Sequence, residues 1–371
     1  MAVTGPRPKG MTLPAHLPRF LVLTACLIAA GSAGGVLATW LHLPMPWMLG
    51  SLTVTALIVL LWAPARLEDY VFPNGLRSLF VALIGVMIGS QVTPDLLAQA
   101  PDLALTLTAL LPFIALCHSA NYLIFRRLGG YDPATAFYSG TPGGLMESIA
   151  MGEAAGADIR ILTTQQFLRI ICVISLLPLG LSIWLGAPVG SAAGLAPTAH
   201  SAPVSPQNVV LICLAAGLGL ALGRKLRLPA AQLTGPLILA ALATVTGWLD
   251  LHLPFWLIAT AQLVIGMTLG LRFKGTDAAL LARSVWLSLI SVVVMLAIGA
   301  AFAFVLHRVT GLAFLHLLIS FAPGGVAEMS IVALSLAASP AVVSLHHILR
   351  ILMTVIEMPL IARVFGIGTR A

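Results

Sequence analysis

Residues 139–158 read SGTPGGLMESIAMGEAAGAD, and residues 320–339 read SFAPGGVAEMSIVALSLAAS. Shifted by 181 residues, Ser139 meets Ser320, Pro142, Gly143 and Gly144 meet Pro323, Gly324 and Gly325, and Glu147 meets Glu328. The agreement continues on both sides. Gly85 and Gly89 meet Gly266 and Gly270, Arg169 meets Arg350, and Pro178 meets Pro359. Further upstream the shift becomes 185, and LHLPMPWMLG (41–50) aligns with LRLPAAQLTG (226–235). The chain is therefore an internal duplication with a four-residue indel, and such a repeat decides the architecture before any local propensity does.

Both copies of the motif sit in very apolar surroundings. The chain is 59% hydrophobic and 8% charged, with a mean hydropathy of +1.04. Soluble domains are about half apolar and a quarter charged, so this composition requires a lipid environment. Apolar runs fall at 20–41, 46–62, 75–91, 103–125 and 161–185, and again at 206–223, 233–249, 255–271, 284–306 and 341–362. About 20 residues of helix cross the roughly 30 Å hydrocarbon core. The runs are continuous, not alternating, which favours helices over a barrel.

The Pro-Gly-Gly segments, 134–156 and 314–337, either cross the membrane or enter and return. Basic residues arbitrate, because Lys and Arg concentrate in cytoplasmic loops. If the segments do not cross and the N-terminus is inside, Arg126, Arg127, Arg160, the cluster Arg224, Lys225 and Arg227, Arg272, Lys274, Arg283, Arg363 and Arg370 all lie inside, as does Arg66. Asp95, Asp102, Asp250 and the linker GAPVGSAAGLAPTAHSAPVSPQN fall outside, and only Arg308 is misplaced. The expectation is an all-α polytopic membrane protein with two inverted repeats. Each holds about five transmembrane helices and one broken or re-entrant Pro-Gly-Gly segment. Its parts are a cytoplasmic tail (1–19), repeat 1 (20–185), a periplasmic linker (186–205) and repeat 2 (206–371). Both termini are expected in the cytoplasm, and the first apolar run is read as an uncleaved helix.

Broken helices in inverted repeats mark secondary transporters, with the site near the bilayer midplane. Pro142, Gly143 and Gly144, like Pro323, Gly324 and Gly325, offer either a bare helix start where an anion docks or a turn needed for packing alone. Thr141 is a candidate cap for the first segment; Ala322 cannot cap the second. Glu147 and Glu328, one turn on, are either proton, cation or path-lining groups or acids held by the helix dipole. Arg169 and Arg350 lie about 15 Å into their spans, too deep to snorkel easily. They need carboxylates, with Glu147 and Glu328 the obvious partners, or carbonyls, or they bind a substrate anion bidentately. Gln165 and Gln166 align with His346 and His347, one turn before the arginines, as site residues or as helix contacts. Glu357 has no acidic counterpart, since Leu176 occupies the matching place.

Other functions are excluded by what is missing from the sequence. The net charge of +7 is spread at span ends with no basic stripe, so nucleic acid is not a partner. There is no Walker loop, no HExxH and no CxxC, and His316, His346 and His347 never make an i, i+4 pair, so no metal or other cofactor is expected, and no enzyme activity. Cys26, Cys117, Cys172 and Cys213 read as small buried hydrophobes. Gly85 to Gly89 and Gly266 to Gly270 read as close helix contacts; glycine-rich spans permit a homodimer without requiring one.

The paired PGG segments with their glutamates, the LxLP starts at Leu41–Pro44 and Leu226–Pro229 and the duplication resemble the AbrB family of bacterial inner-membrane proteins, over nearly the whole chain. Members carry the labels "AbrB family transcriptional regulator" or "ammonia monooxygenase". The resemblance implies a multi-pass inner-membrane protein with a regulatory label, and it supplies no catalytic residues. DNA contact would need a basic soluble domain and an oxidase would need a metal cluster, and the sequence has neither. The expected function is secondary transport or export of a small anionic solute, with protons or cations as candidate coupling ions. The alternative is a membrane sensor that influences expression indirectly.

Overall fold

The computed structural model describes residues 17–62, 67, 70–92, 100–186, 189, 206–228, 230–249, 251, 253–274, 277–336 and 338–367. The expected tail and linker lie largely outside the described residues, as do Arg66, Asp95, Asp250 and Arg370. Among the described residues the chain is all helix and turn. The first half holds α1 (Leu17–Trp40), α2 (Pro46–Leu57, continued by a π-turn over Ile58–Trp62), α3 (Asn74–Gly89), α4 (Ala100–Thr108), α5 (Leu110–Leu123, continued by a π-turn over Ile124–Leu128), α6 (Pro133–Gly140), α7 (Leu145–Ala154) and α8 (Ile159–Leu185). The second holds α9 (Pro206–Lys225), α10 (Ala231–Val245), α11 (Phe255–Gly270), α12 (Ala278–Thr310), α13 (Phe314–Phe321), α14 (Val326–Ser335) and α15 (Pro340–Val364).

Each apolar run of the sequence became helix. Among the described residues, seven helices are long and apolar enough to cross a membrane, and Pro46–Leu61, Asn74–Gly89 and Ala231–Val245 are shorter apolar helices. The outside of the bundle is apolar too. Leu61, Ile183, Val305 and Val364 are exposed, together with Trp40, Trp184, Trp248 and Trp256 near helix ends. A water-facing surface would not carry that many large apolar groups; lipid-facing helices with interfacial tryptophans do. Cys117 and Cys172 are buried as expected, but Cys26 and Cys213 are exposed. They lie on α1 and α9, helices with much of their surface turned outward, where a small apolar thiol meets lipid as readily as protein.

The glycines show how the halves interlock. Gly34 on α1 meets Gly50 on α2, backbone to backbone, and Gly219 on α9 meets Gly235 on α10 in the same way. Gly85 and Gly89 on α3 lie against the carbonyls of Leu233 and Leu237 on α10, while Gly266 and Gly270 on α11 lie against those of Met48 and Leu52 on α2. The third helix of each half thus packs on the second helix of the other. Absence of a side chain lets the backbones approach this closely, which is the main source of helix affinity where lipid removes the hydrophobic drive.

The two Pro-Gly-Gly segments are hairpins. Thr135 Oγ1, in the first turn of α6, accepts from the Asp158 N–H at 2.7 Å, beyond the end of α7. A straight rod would hold those residues about 35 Å apart. Gly152 on α7 also lies against Tyr138 on α6. In the second half, Ser330 Oγ meets Ser344 Oγ at 2.7 Å, His347 Nε2 donates to the Ile319 carbonyl at 3.0 Å, and Arg350 donates to Ala322 at 2.5 Å. Both legs, α13 and α14, therefore lie along residues 344–350 of α15. The first hairpin takes the other end: Gly143 packs beside Arg350 and Thr354, Gly144 beside Val355 and Met358, and Ala134, Phe137 and Tyr138 cluster with Met358 and Ala362. The hairpins approach α15 from opposite ends and their tips meet at Arg350.

The first hairpin is anchored where it starts. Asp132 is the N-cap of α6, accepting from the Thr135 N–H at 2.9 Å. Burial opposes its charge, but the Thr135 hydrogen bonds and further bonds from backbone groups of Ala134 and Asp132 outweigh it and hold the carboxyl below its usual range. A depressed acid stabilises the fold above its unfolded pKa, near 4, and loses that contribution as pH falls through the folded value. Asp132→Ala is expected to cost about 1 kcal/mol at neutral pH, with the gap from wild type narrowing below about pH 4. Thermal unfolding in detergent at both pH values checks this, and a gap that stays constant with pH contradicts it.

Candidate functional site

A helix leaves its last four carbonyls unpartnered, and away from water a buried carbonyl must find a partner within the protein. Both hairpin tips face this problem, and side chains solve it. At the end of α6, the Phe137 carbonyl accepts from His118 Nε2 at 2.9 Å, Tyr138 from Gln166 Nε2 at 2.8 Å, Gly140 from Asn121 Nδ2 at 3.0 Å, and Thr141 from Arg169 Nη1. At the end of α13, Ile319 accepts from His347, Ala322 from Arg350 Nη1, and Gly324 from Arg350 Nη2 at 2.7 Å. The pattern repeats at the offset of 181: Arg169 on Thr141 matches Arg350 on Ala322, and Gln166 on Tyr138 matches His347 on Ile319. A cation at a helix C-terminus also meets the negative end of the dipole.

Arg350 Nη2 further donates to His347 Nδ1 at 3.0 Å. That places the imidazole proton on Nε2, the nitrogen that donates to Ile319. The two guanidiniums are both buried and close enough to act on one another electrostatically. Neither pairs with Glu147 or Glu328; of the partners the sequence left open, both took backbone carbonyls. The glutamates occupy the third position of α7 and α14, behind Gly144 and Gly325 as N-caps. Each folds back over its own helix start, the Glu328 carboxylate lying against Gly325 and that of Glu147 near Gly144. This is the acid position of a capping box. The acids thus sit at the positive ends of their own helices, while the arginines take carbonyls.

Three more expectations change. Thr141 does not cap α7; its hydroxyl instead meets Ser148 Oγ at 2.7 Å and accepts from Gln166 at 2.8 Å. Pro142 and Pro323 lie in the turns ahead of the N-caps, not in the first helical turn. The turns also differ, since Gly144 has φ 63° and Gly325 has φ −77°; only the first requires a left-handed residue. Gln165 and His346 point away from the tips. Gln165 bridges the Tyr131 hydroxyl and Ser288 Oγ, and His346 bridges the Val342 carbonyl and Thr106 Oγ1. Their neighbours Gln166 and His347 reach the tips instead. Spacing could not choose between them, since residues three and four before an arginine both share its face. Asn121 and His118 were missed altogether; their signal was polarity within the run 103–125, with no polar counterpart of His118 in the second half, where Gly299 stands.

The tips keep unspent hydrogen-bonding capacity. Arg169 Nε, Arg350 Nε, Gln166 Oε1 and Ser139 Oγ are buried without partners, against the rule that buried polar atoms find one. Two of the four are N–H groups of cations.

A family model described as "Transition state regulatory protein AbrB" matches residues 47–366. The chain belongs to the AbrB family. The AbrB match takes in both hairpins and both arginine helices. The chain is 26% identical over 342 residues to "Putative regulator AbrB" of Escherichia coli (strain K12), covering 91% of this chain and 94% of that protein. It is 24% identical over 350 residues to "Uncharacterized protein YhjN" of Bacillus subtilis (strain 168), covering 90% of each. Both relatives thus parallel this AbrB chain over nearly its full length, duplicated halves included.

Proposed function

We propose that this AbrB-family chain is a secondary transporter of a small anionic solute, not an enzyme, resident in the bacterial inner membrane with both termini in the cytoplasm. One observation carries the reading: two helical hairpins come from opposite ends of α15 and meet at Arg169 and Arg350. Opposed broken helices let a central site face either side by small shifts of one hairpin against the other. The sign of the solute follows from the spare donors. Arg169 and Arg350 each keep an unpartnered Nε–H, while the acids are folded onto their own helix starts. A small carboxylate or comparable oxyanion would satisfy both guanidiniums.

The test is uptake or exchange of labelled mono- and dicarboxylates, phosphate and sulfonates by the protein in liposomes. Arg169→Gln together with Arg350→Gln is expected to lower flux about a hundredfold, the loss of roughly 3 kcal/mol of charge-assisted bonding. Absence of flux or exchange with every anion of the panel overturns the reading. The regulatory names of the family and of the Escherichia coli relative favour a second one, a ligand sensor signalling through a cytoplasmic partner. Saturable anion binding without flux selects it.

A further inference from the structure

A cavity of about 900 Å³ opens where the first hairpin meets the end of α15. Ala134 and Phe137 of α6, Ala155 and Gly156 beyond α7, and Ile361 and Phe365 form its apolar walls. Two ionisable groups facing it, His118 on α5 and Glu357 on α15, touch each other. His118 Nδ1 lies 2.8 Å from Glu357 Oε1 and 3.1 Å from Oε2. His118 is buried, its side chain 4% exposed, and Glu357 is 21% exposed. Neither residue is part of the repeated set, since Gly299 and Leu176 occupy the matching places.

The hydrogen-bond inventory leaves little freedom. The Phe137 carbonyl can only accept, so His118 Nε2, 2.9 Å away, carries a proton. Nδ1 then faces a carboxylate, and two bare acceptors at 2.8 Å repel. A second proton must lie between them, either on the imidazole or on the carboxyl. The pair as placed is therefore the protonated form: net charge zero, one proton shared.

We infer that His118 and Glu357 form a proton-binding site reached from this cavity, and that its proton is the coupling ion of the transport reading on which this step rests. Release is balanced simply. The shared proton passes to cavity water, the ring keeps Nε2–H on Phe137, and the pair goes from net zero to net minus one. The link between Nδ1 and the carboxylate is then lost. That link ties α5, and through Phe137 the first hairpin, to the α15 of the other half. Proton loss thus unlatches one hairpin from the helix that carries Arg350. The asymmetry of the pair gives only one end of the molecule this latch. Other titratable groups facing the cavity are Tyr122 from α5 and Asp132 from the cap of α6; the lining residues from α7 and the rest of α15 add none. On the buried side, Cys117 is the neighbouring titratable group on α5.

Infrared difference spectra of the purified full-length protein, recorded while pH is stepped between about 5 and 9, read the pair directly. Wild type is expected to show a reversible change with coupled carboxyl and imidazole bands. Glu357→Gln is expected to abolish it, and His118→Asn to shift the carboxyl part by at least one pH unit; circular dichroism checks that each variant is folded. A silent wild type overturns the inference, as does a change that survives in Glu357→Gln. Because the spectra need no flux, missing transport with a titrating pair refutes only the transport reading. Transport with a silent pair refutes only this one.

Discussion

Arg350→Met is expected to destabilise the protein by about 3 kcal/mol, the cost of orphaning three buried acceptors at about 1 kcal/mol each. Arg350 is 2% exposed and donates to the Ala322 and Gly324 carbonyls and to His347 Nδ1. Methionine fills similar space and donates to none of them. Two effects oppose each other. Removing a buried cation ends its desolvation cost and its repulsion with Arg169, and replacing a whole buried ion pair by apolar groups is often neutral for that reason. Here the partners left behind are backbone carbonyls at a helix end, which cannot be removed and have no water to turn to. The orphaned carbonyls win. Arg350→Lys is expected to recover part of the loss, since one ammonium cannot span three acceptors set for a planar fork. Chemical unfolding followed by tryptophan fluorescence measures the series, and a methionine variant as stable as wild type defeats the capping account.

Gly235→Ala is expected to leave little folded protein, an effect above about 4 kcal/mol. A Cβ at Gly235 would collide with the backbone of Gly219 on α9, so the crossing can survive only by prising α9 from α10. Those helices also carry the α3 contacts at Leu233 and Leu237, and the separation would spread into the interlock between the halves. Gly217 provides the control. It lies on the same helix as Gly219, and a Cβ there meets nothing within 4 Å. Gly217→Ala is expected to be neutral or to stabilise by up to about 1 kcal/mol through helix propensity. Size-exclusion profiles and unfolding midpoints separate the two. Equal behaviour would mean that the glycine crossings do not hold the bundle together.

The transport reading and the latch at His118 and Glu357 stand on different parts of the molecule. The anion argument rests on spare donors at the hairpin tips, where both halves contribute alike. The proton argument rests on a pair with no counterpart in the other half. A duplicated scaffold would by itself treat its two ends the same way. An ionisable pair near one end breaks that equivalence.

The duplication, the ten apolar runs and the two Pro-Gly-Gly breaks were legible in the sequence, because each is a local signal. Apolar length sets a span, proline and glycine break a helix, and a repeated offset aligns the halves. Arg169 and Arg350 were legible as residues in need of partners, because charge at that depth always needs one. The identity of the partners was not. Carbonyls outcompeted Glu147 and Glu328 because a broken helix leaves orphan acceptors at its end, and those lay within reach of the arginines. The choice of Gln166 and His347 over Gln165 and His346 depended on helix rotation by a fraction of a turn. The pairing of His118 with Glu357 joins residues 239 apart in the chain. Only the packing of one half across the other brings such groups together, and no local pattern encodes a contact made by tertiary geometry.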